Sequence, residues 1–339
     1  MNGIVCEKPG SFNYITLDKP TIQEGQAIIQ IKRIGICGTD LHAFEGTQPY
    51  FQYPRILGHE LSGTLVEYQG TDDFSVGDMV TFIPYFHCGK CVACRSGKTN
   101  CCVEMRVSGV HQDGGMVEYL CVPETSLIKG KGLSLEALSL VEPLAIGAHG
   151  VRRAAVNAND FVLVIGTGPI GIAAAEFARI AGGNVILMDV NSKRLDFCVD
   201  ILGFNHTINP LREDVNQTLK IMTNGDMPTV VIDATGNQKA INGAFQYLAH
   251  GGRYVLIGLQ SGEITFSHPE FHKRESTLMS SRNATKADFD FVISCIENQL
   301  IDPEKYITNT LNFDDVKDQF PDLLQANTDV IKAIIKMKE

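Results

Sequence analysis

Residues 87–102 read HCGKCVACRSGKTNCC, a stretch that holds Cys88, Cys91, Cys94, Cys101 and Cys102. Cys88, Cys91, Cys94 and Cys102 follow the spacing C-x2-C-x2-C-x7-C. Turns of that length bring neighbouring thiolates toward one ion, and four of them close the tetrahedron that Zn2+ accepts. Gly89 and Gly97 give the backbone the freedom such a knuckle needs. Disulfides, an iron–sulfur cluster and free redox thiols are the rival readings. The ferredoxin run ends in x3-C-P, which this stretch lacks, and Cys101 is the alternative fourth ligand. An ion closed in by four thiolates has no position left for a substrate, so it would brace a loop and do no chemistry.

A second set of ligand types is spread more widely. Cys37 lies in GICGTDLH (35–42), His59 and Glu60 in LGHELSG (57–63), and Glu142 in LVEPLAIGAH (140–149). A thiolate, an imidazole and a carboxylate brought together make a three-ligand zinc site with one position open. Taken singly, each has an ordinary structural reading: a lone cysteine is usually a small buried hydrophobe. The remainder of the chain must decide.

A third chemistry begins at FVLVIGTGPIG (161–171), where a strand-like apolar run enters Gly166-x-Gly168-x-x-Gly171 and a helix rich in small residues follows. Glycines in that context let the backbone approach a pyrophosphate, which a helix N-terminus attracts. The next strand, VILMD (185–189), ends in Asp189, placed to accept hydrogen bonds from the adenosine ribose and to repel a 2′-phosphate, which favours NAD over NADP. Arg194 lies near the adenosine end or on a solvated helix face. Ile170 within the turn, Ile257, Gly258 and Leu259 at the end of RYVLIG (253–258), and Ser281 after STLMS (276–280) complete the expected cofactor contacts.

These residues need two kinds of scaffold. From 161 onward, six strand-like runs alternate with helical segments, which predicts an α/β domain with a doubly wound parallel sheet. The first 145 residues have short alternating strands and many Gly and Pro turns, as in an antiparallel β-rich domain. The last apolar run, VIKAIIKM (330–337), is expected to return to that first domain, which gives 1–147 with 285–339 as one domain and 148–284 as the other. The chain has 339 residues, 44% hydrophobic and 20% charged, with a net charge of −10. Such an acidic balance argues against a nucleic-acid partner. No stretch reads as a signal peptide or a membrane span, so a reducing cytoplasm, where disulfides are rare, is the expected compartment.

Taken together, GICGTDLH, GHE, the four-cysteine lobe, EPLAIGAH and GTGPIG resemble the zinc-dependent medium-chain alcohol, polyol and threonine dehydrogenases over nearly the whole chain. That resemblance implies a GroES-like β-barrel catalytic domain, a Rossmann domain, NAD, two Zn2+ per subunit (one catalytic, one structural), and a homodimer or homotetramer. It implies that Cys37, His59 and Glu60 form the catalytic zinc motif with Glu142 at or beside it, either acid being the direct ligand. It also implies that Thr39 and His42 relay the alcohol's proton to water, a task that suits an imidazole.

The loops EGTQPYFQYPR (45–55) and GVHQDGG (109–115) are rich in hydrogen-bonding groups and suit a polyhydroxy substrate. Arg282, in LMSSRNAT (278–285), matches a position where polyol dehydrogenases have an arginine, and an arginine can grip a carboxylate with two hydrogen bonds. His111, Gln112 and Arg55 are further candidates. Several stretches, GVHQDGG and PEFHKRE among them, resemble the sugar-acid branch of the family and imply oxidation of L-galactonate to D-tagaturonate. Sorbitol or threonine oxidation is the alternative within the family. A zinc-bearing nucleotide sensor is the non-enzymatic one, but a sensor needs no open metal position.

Overall fold

Isoleucine recurs through QAIIQIKRIGI, and this β-branched run forms the strand Gln26–Ile36, the hub of a mixed, largely antiparallel sheet. The computed structural model describes residues 1–48, 51–70, 74–325 and 330–338. Gln26–Ile36 pairs antiparallel with Glu60–Tyr68, with Tyr119–Pro123 and with Lys332–Lys336. Ile307–Asn312 extends the sheet on one side, Met79–Phe82 and Leu127–Lys129 on the other. Ile29, Ile31, Ile34, Leu61, Leu65, Val80 and Phe82 fill its core, together with Phe12, Phe44 and Phe320. The chain crosses this core more than once, so the metal-ligand types at positions 37, 59 and 60 start from neighbouring strands although the sequence separates them.

Beyond it, residues 143–284 form a six-stranded parallel sheet. In chain order its strands are Phe161–Ile165, Asn184–Met188, Thr207–Ile208, Val230–Asp233, Arg253–Leu256 and Thr277–Ser280. Their order across the sheet is third, second, first, fourth, fifth, sixth. That is the dinucleotide-binding arrangement, with its reversal of direction between the first and fourth strands. FVLVI and VVID read as continuous apolar runs because helices cover both faces of such a sheet; the strand Val230–Asp233 is buried throughout.

Two compact units result, 1–142 with 285–339 and 143–284. The division falls between Glu142 and Pro143, in the first turn of the helix Val141–Ala154. VIKAIIKM does return to the first unit, its strand Lys332–Lys336 pairing with Gln26–Ile36. Among the described residues, no helix is long and apolar enough to cross a membrane.

Candidate active site

The strand Gln26–Ile36 ends at Cys37, which caps the helix Gly38–Glu45. Opposite that strand's end, Glu60 pairs in register with Gly35. A Cβ on Gly35 would fall inside the Glu60 carboxylate, so a side chain there would displace the acid. With His59 preceding Glu60, ligand atoms of Cys37, His59 and Glu60 all lie within 4.8 Å of one another. Both His59 and Glu60 are buried.

Around this set lie groups that steer it. The Cys37 N–H donates to Asp40 Oδ2 at 2.9 Å, and the Gly58 N–H donates to Asp40 Oδ1 at 3.2 Å. The same buried carboxylate stands 3.9 Å from His59 Nδ1, behind the imidazole. Metal-binding histidines commonly have a carboxylate in that position. Glu142 is also buried, and the buried Tyr85 hydroxyl donates to its Oε1. Lys332, on the last strand, forms an ion pair with Glu60 Oε2 and donates to the Ile36 carbonyl at 3.1 Å.

Burial followed by the nearby Glu60 charge pushes the Glu142 carboxyl up to about 7, against the pull of His59. Burial alone would depress His59, but the charges of Asp40, Cys37 and Glu142 outweigh it and hold the imidazole well above its ordinary value. Tyr85 is pushed well up by burial and by Glu142. So many anionic groups, buried together, are costly without a cation.

The donors suit Zn2+: thiolate, imidazole and carboxylate are its common ligands. Buried polar atoms are nearly always paired. Here Glu60 Oε1 and Glu142 Oε2 are buried without a hydrogen-bond partner. Sequence reasoning pointed to Cys37, His59, Glu60 and Glu142 but missed Asp40, Tyr85 and Lys332. A signal for the last existed: a lysine inside the apolar run VIKAIIKM breaks the strand's buried pattern.

The sulfurs of Cys88, Cys91, Cys94 and Cys102 also lie within 4.8 Å of one another, and Cys101 is exposed outside the group. Cys91 caps the short helix Val92–Arg95, and Gly89 and Gly97 take positive φ at the turns. Backbone N–H groups of Cys88 and Glu104 donate to Cys102 Sγ at 3.2 and 3.3 Å. Donors from the Cys94 and Val103 backbone draw the Cys91 thiol down to about 6. Burial, then hydrogen bonding with Cys91 and Cys102, pushes the Cys94 thiol up to about 12, so an ion bound here must displace its proton.

On the second unit, Gly168 caps the helix Pro169–Ile180, with Pro169 in its first turn. A Cβ on Gly171 would collide with the Gly166 carbonyl, so glycine alone lets the helix start so close to the strand. Asp189 lies against this loop, but both its oxygens are already engaged. Oδ2 accepts from the Thr167 N–H at 2.6 Å and the Thr167 hydroxyl at 2.9 Å, and Oδ1 accepts from the Asn191 N–H at 2.8 Å. Arg194 Nη1 lies 3.7 Å from where a Gly168 Cβ would stand, and its Nε is buried without a partner. Ile257 follows the strand Arg253–Leu256 and lies next to Gly150; Gly258 abuts Gly236, and Leu259 is exposed. Ser281 is buried with an unpartnered hydroxyl. Ile170 lies in the first turn of the Pro169–Ile180 helix.

Thr39 and His42 are three apart on the helix Gly38–Glu45 and therefore share a face. His42 is exposed, its Nδ1 3.3 Å from the Thr47 hydroxyl and 3.4 Å from Glu45. GVHQDGG runs beside the approach to His59: the N–H groups of Gly114, Gly115 and Met116 donate to Ile56, Gly58 and Leu57 carbonyls. Within it, Asp113 pairs with Arg55 at 3.2 Å, and His111 Nδ1 accepts from the Val107 N–H. Arg55 therefore has a partner of its own, which the sequence reading did not supply. Gln112 donates nothing to the metal set; its carbonyl takes the Gly109 N–H. Arg282 is exposed in the second unit, just after Thr277–Ser280. Pro49 and Tyr50 of the 45–55 loop lie outside the described residues.

Residues 23–132 match the alcohol dehydrogenase GroES-like domain, and residues 169–298 match the zinc-binding dehydrogenase domain. The L-galactonate-5-dehydrogenase of Escherichia coli K12 is 41% identical over 336 residues, covering 99% of this chain and 98% of its own. This chain belongs to the zinc-dependent medium-chain alcohol dehydrogenases. It is an oxidoreductase acting on CH–OH donors, of the polyol and sugar-acid dehydrogenase type. A sorbitol dehydrogenase of Halalkalibacterium halodurans is 31% identical, covering 91% of this chain and 92% of its own. Among solved structures, the NADH complex of RspB from E. coli CFT073, described as a short chain alcohol dehydrogenase, superposes with a TM-score of 0.92 at 30% identity, covering 99% of each chain.

Proposed function

We propose that this protein oxidises a secondary hydroxyl of a hexonate, L-galactonate to D-tagaturonate, with NAD as hydride acceptor. One observation carries the chemistry: ligand atoms of Cys37, His59 and Glu60 converge within 4.8 Å of one another, with Glu60 Oε1 buried and without a hydrogen-bond partner. The substrate rests on the 41% identity to the E. coli enzyme and on the polar loop at 109–115. When bound, zinc supplies a Lewis acid that lowers the substrate hydroxyl's pKa, and NAD supplies the hydride acceptor.

The chain's own part is placement and proton transfer. Cys37, His59 and Glu60, with Glu142 beside them, hold the ion; Cys88, Cys91, Cys94 and Cys102 hold a second, structural one. Asp40 steadies the imidazole from behind, and Tyr85 fixes one oxygen of Glu142. Gly166, Gly168 and Gly171 open the backbone to the dinucleotide's phosphates. The Thr39 hydroxyl relays the proton that the alcohol loses, giving up its own toward His42 as it accepts, and the exposed His42 passes it to water. Ketone, NADH and one proton balance the alcohol and NAD+ consumed. We expect a homodimer or homotetramer in the cytoplasm, the former measured by light scattering.

The test is a panel of L-galactonate, sorbitol and L-threonine with purified, metal-analysed enzyme. L-Galactonate should lead in kcat/KM by at least about tenfold, a difference of about 1.4 kcal/mol in transition-state binding. A lead of that size for sorbitol would move the protein to the polyol reading, which the Halalkalibacterium relative favours.

A further inference from the structure

Lys332 is the least expected residue in the first unit: its side chain is only 1% exposed, as is that of the acid it meets, Glu60. Burying a lysine is costly and is tolerated where a charge and hydrogen bonds meet it. Lys332 has both. Its Nζ is anchored to the Ile36 carbonyl at 3.1 Å, one residue before Cys37, and it is ion-paired with Glu60 Oε2. Both Glu60 oxygens are buried without a hydrogen-bond partner, and the Lys332 charge lies against Oε2. The carboxylate is thus tied at one oxygen and unclaimed at the other, and its ligand atom lies within 4.8 Å of those of Cys37 and His59. Gly35, opposite Glu60 in the ladder, leaves the space in which that acid sits. Cys37 and Glu142 are the other charges that Lys332 feels.

We infer that Lys332 is a positioning residue for the metal set: by holding one oxygen of Glu60 from the Ile36 carbonyl, it aims the other at the ion that Cys37 and His59 bind. The inference rests on the reading of those three residues as zinc ligands. It places the last strand of the chain behind the metal site as a second layer of support, a layer whose loss typically costs ~10–100-fold in metal affinity.

The experiment compares the parent with K332M, E60Q and the double variant, each as the full zinc-loaded chain. Zinc loss to a chelator is followed over time, and the visible spectrum of the cobalt-substituted proteins is recorded. The parent should retain two ions per chain. K332M should release one of them at least about tenfold faster and keep the other. E60Q should match it, the double variant should be no worse than E60Q, and the cobalt spectra of all three variants should shift alike from the parent.

K332M with parental release and an unchanged spectrum would overturn the inference. So would slower release, which would make the lysine a competitor of the ion, or additive effects in the double variant, which would mean it does not act through Glu60. If K332M alone fails to fold, the double variant leaves no unpaired charge, and its comparison with E60Q still decides. A parent that holds a single ion, in the cysteine lobe, would sink the reading of the metal set itself and the inference with it.

Discussion

The molecule carries two metal-capable clusters built on opposite plans. The cysteine lobe takes all four ligands from residues 88–102, on turns and one short helix, with three of its thiols only partly buried. The other set draws Cys37, His59 and Glu60 from two strand ends and surrounds them with Glu142, Asp40, Tyr85 and Lys332 from across the first unit. A local cluster needs little beyond a flexible loop and an ion, and four thiolates satisfy that ion fully. A cluster assembled over long chain separations needs the folded core first and can leave a ligand position open. The difference teaches where stability and where chemistry reside.

Exchanging one sulfur in each cluster should separate them most sharply. Cys37→Ser should lower kcat/KM by roughly 10^3-fold or more, since it disrupts an ion asked to supply several kcal/mol of transition-state stabilisation, while thermal unfolding stays near the parent's. Cys91→Ser should instead lower Tm by on the order of 10 °C, because metal binding in a small lobe is folding free energy. Calorimetry on both variants checks the pair, and a Cys91→Ser protein as heat-stable as the parent would erase the contrast.

Acidity offers a second cut. In the metal-free fold Glu142 titrates at about 7, raised by burial and then by Glu60. Its proton is bound in the folded state and absent from the unfolded chain between pH ~4.5 and 7. Metal-free stability from this group is therefore complete below that window and lost as pH climbs through it. Zinc entering the buried set must displace that proton and the one held on the His59 imidazole, so its affinity there should rise by ~10-fold or more per pH unit and keep rising above pH 7. Chelator competition across pH 5.5–8 measures this, and Glu142→Gln should flatten the slope. In the lobe Cys91 is drawn down to about 6 but burial and its thiol neighbours push Cys94 up to about 12, so zinc must displace a thiol proton there and the lobe's affinity should also keep rising above neutrality.

The smallest expected effect lies in the second unit. Asp189→Ala should weaken NAD binding by ~10-fold and narrow its advantage over NADP, read by fluorescence titration with both dinucleotides. Because Asp189 also ties Thr167 to the glycine loop, part of that loss should appear with NADP as well. Unchanged discrimination would leave the acid with the loop-closing role alone.

What the sequence made legible followed the same divide. Cys88 to Cys102 and Gly166 to Gly171 could be read because their function lies in short spacings that any chain displays. The inner parallel strands, Phe161–Ile165, Asn184–Met188 and Val230–Asp233, could be read because buried strands are largely apolar. Cys37, His59 and Glu60 were legible only as motifs, since nothing local says that positions 35 and 60 pair. Lys332 and Tyr85 were out of reach for a related reason: each matters only through the acid it meets, far away along the chain. Asp189 is legible at its strand end, but its Thr167 contacts exist only once the strand and the glycine loop are folded together. The same holds for Arg55, which Asp113 engages from a loop almost sixty positions later.

The first unit is closed by its own tail, since Lys332–Lys336 pairs with Gln26–Ile36 after the whole parallel sheet has been spelled out. During synthesis the thiol knuckle at 88–102 is complete early and has all its ligands as soon as it leaves the ribosome. The cradle at Cys37, His59 and Glu60 must wait for its backing lysine, which meets the Ile36 carbonyl from 296 positions later. One ion is thus an early guest of a nascent chain, and the other a later arrival.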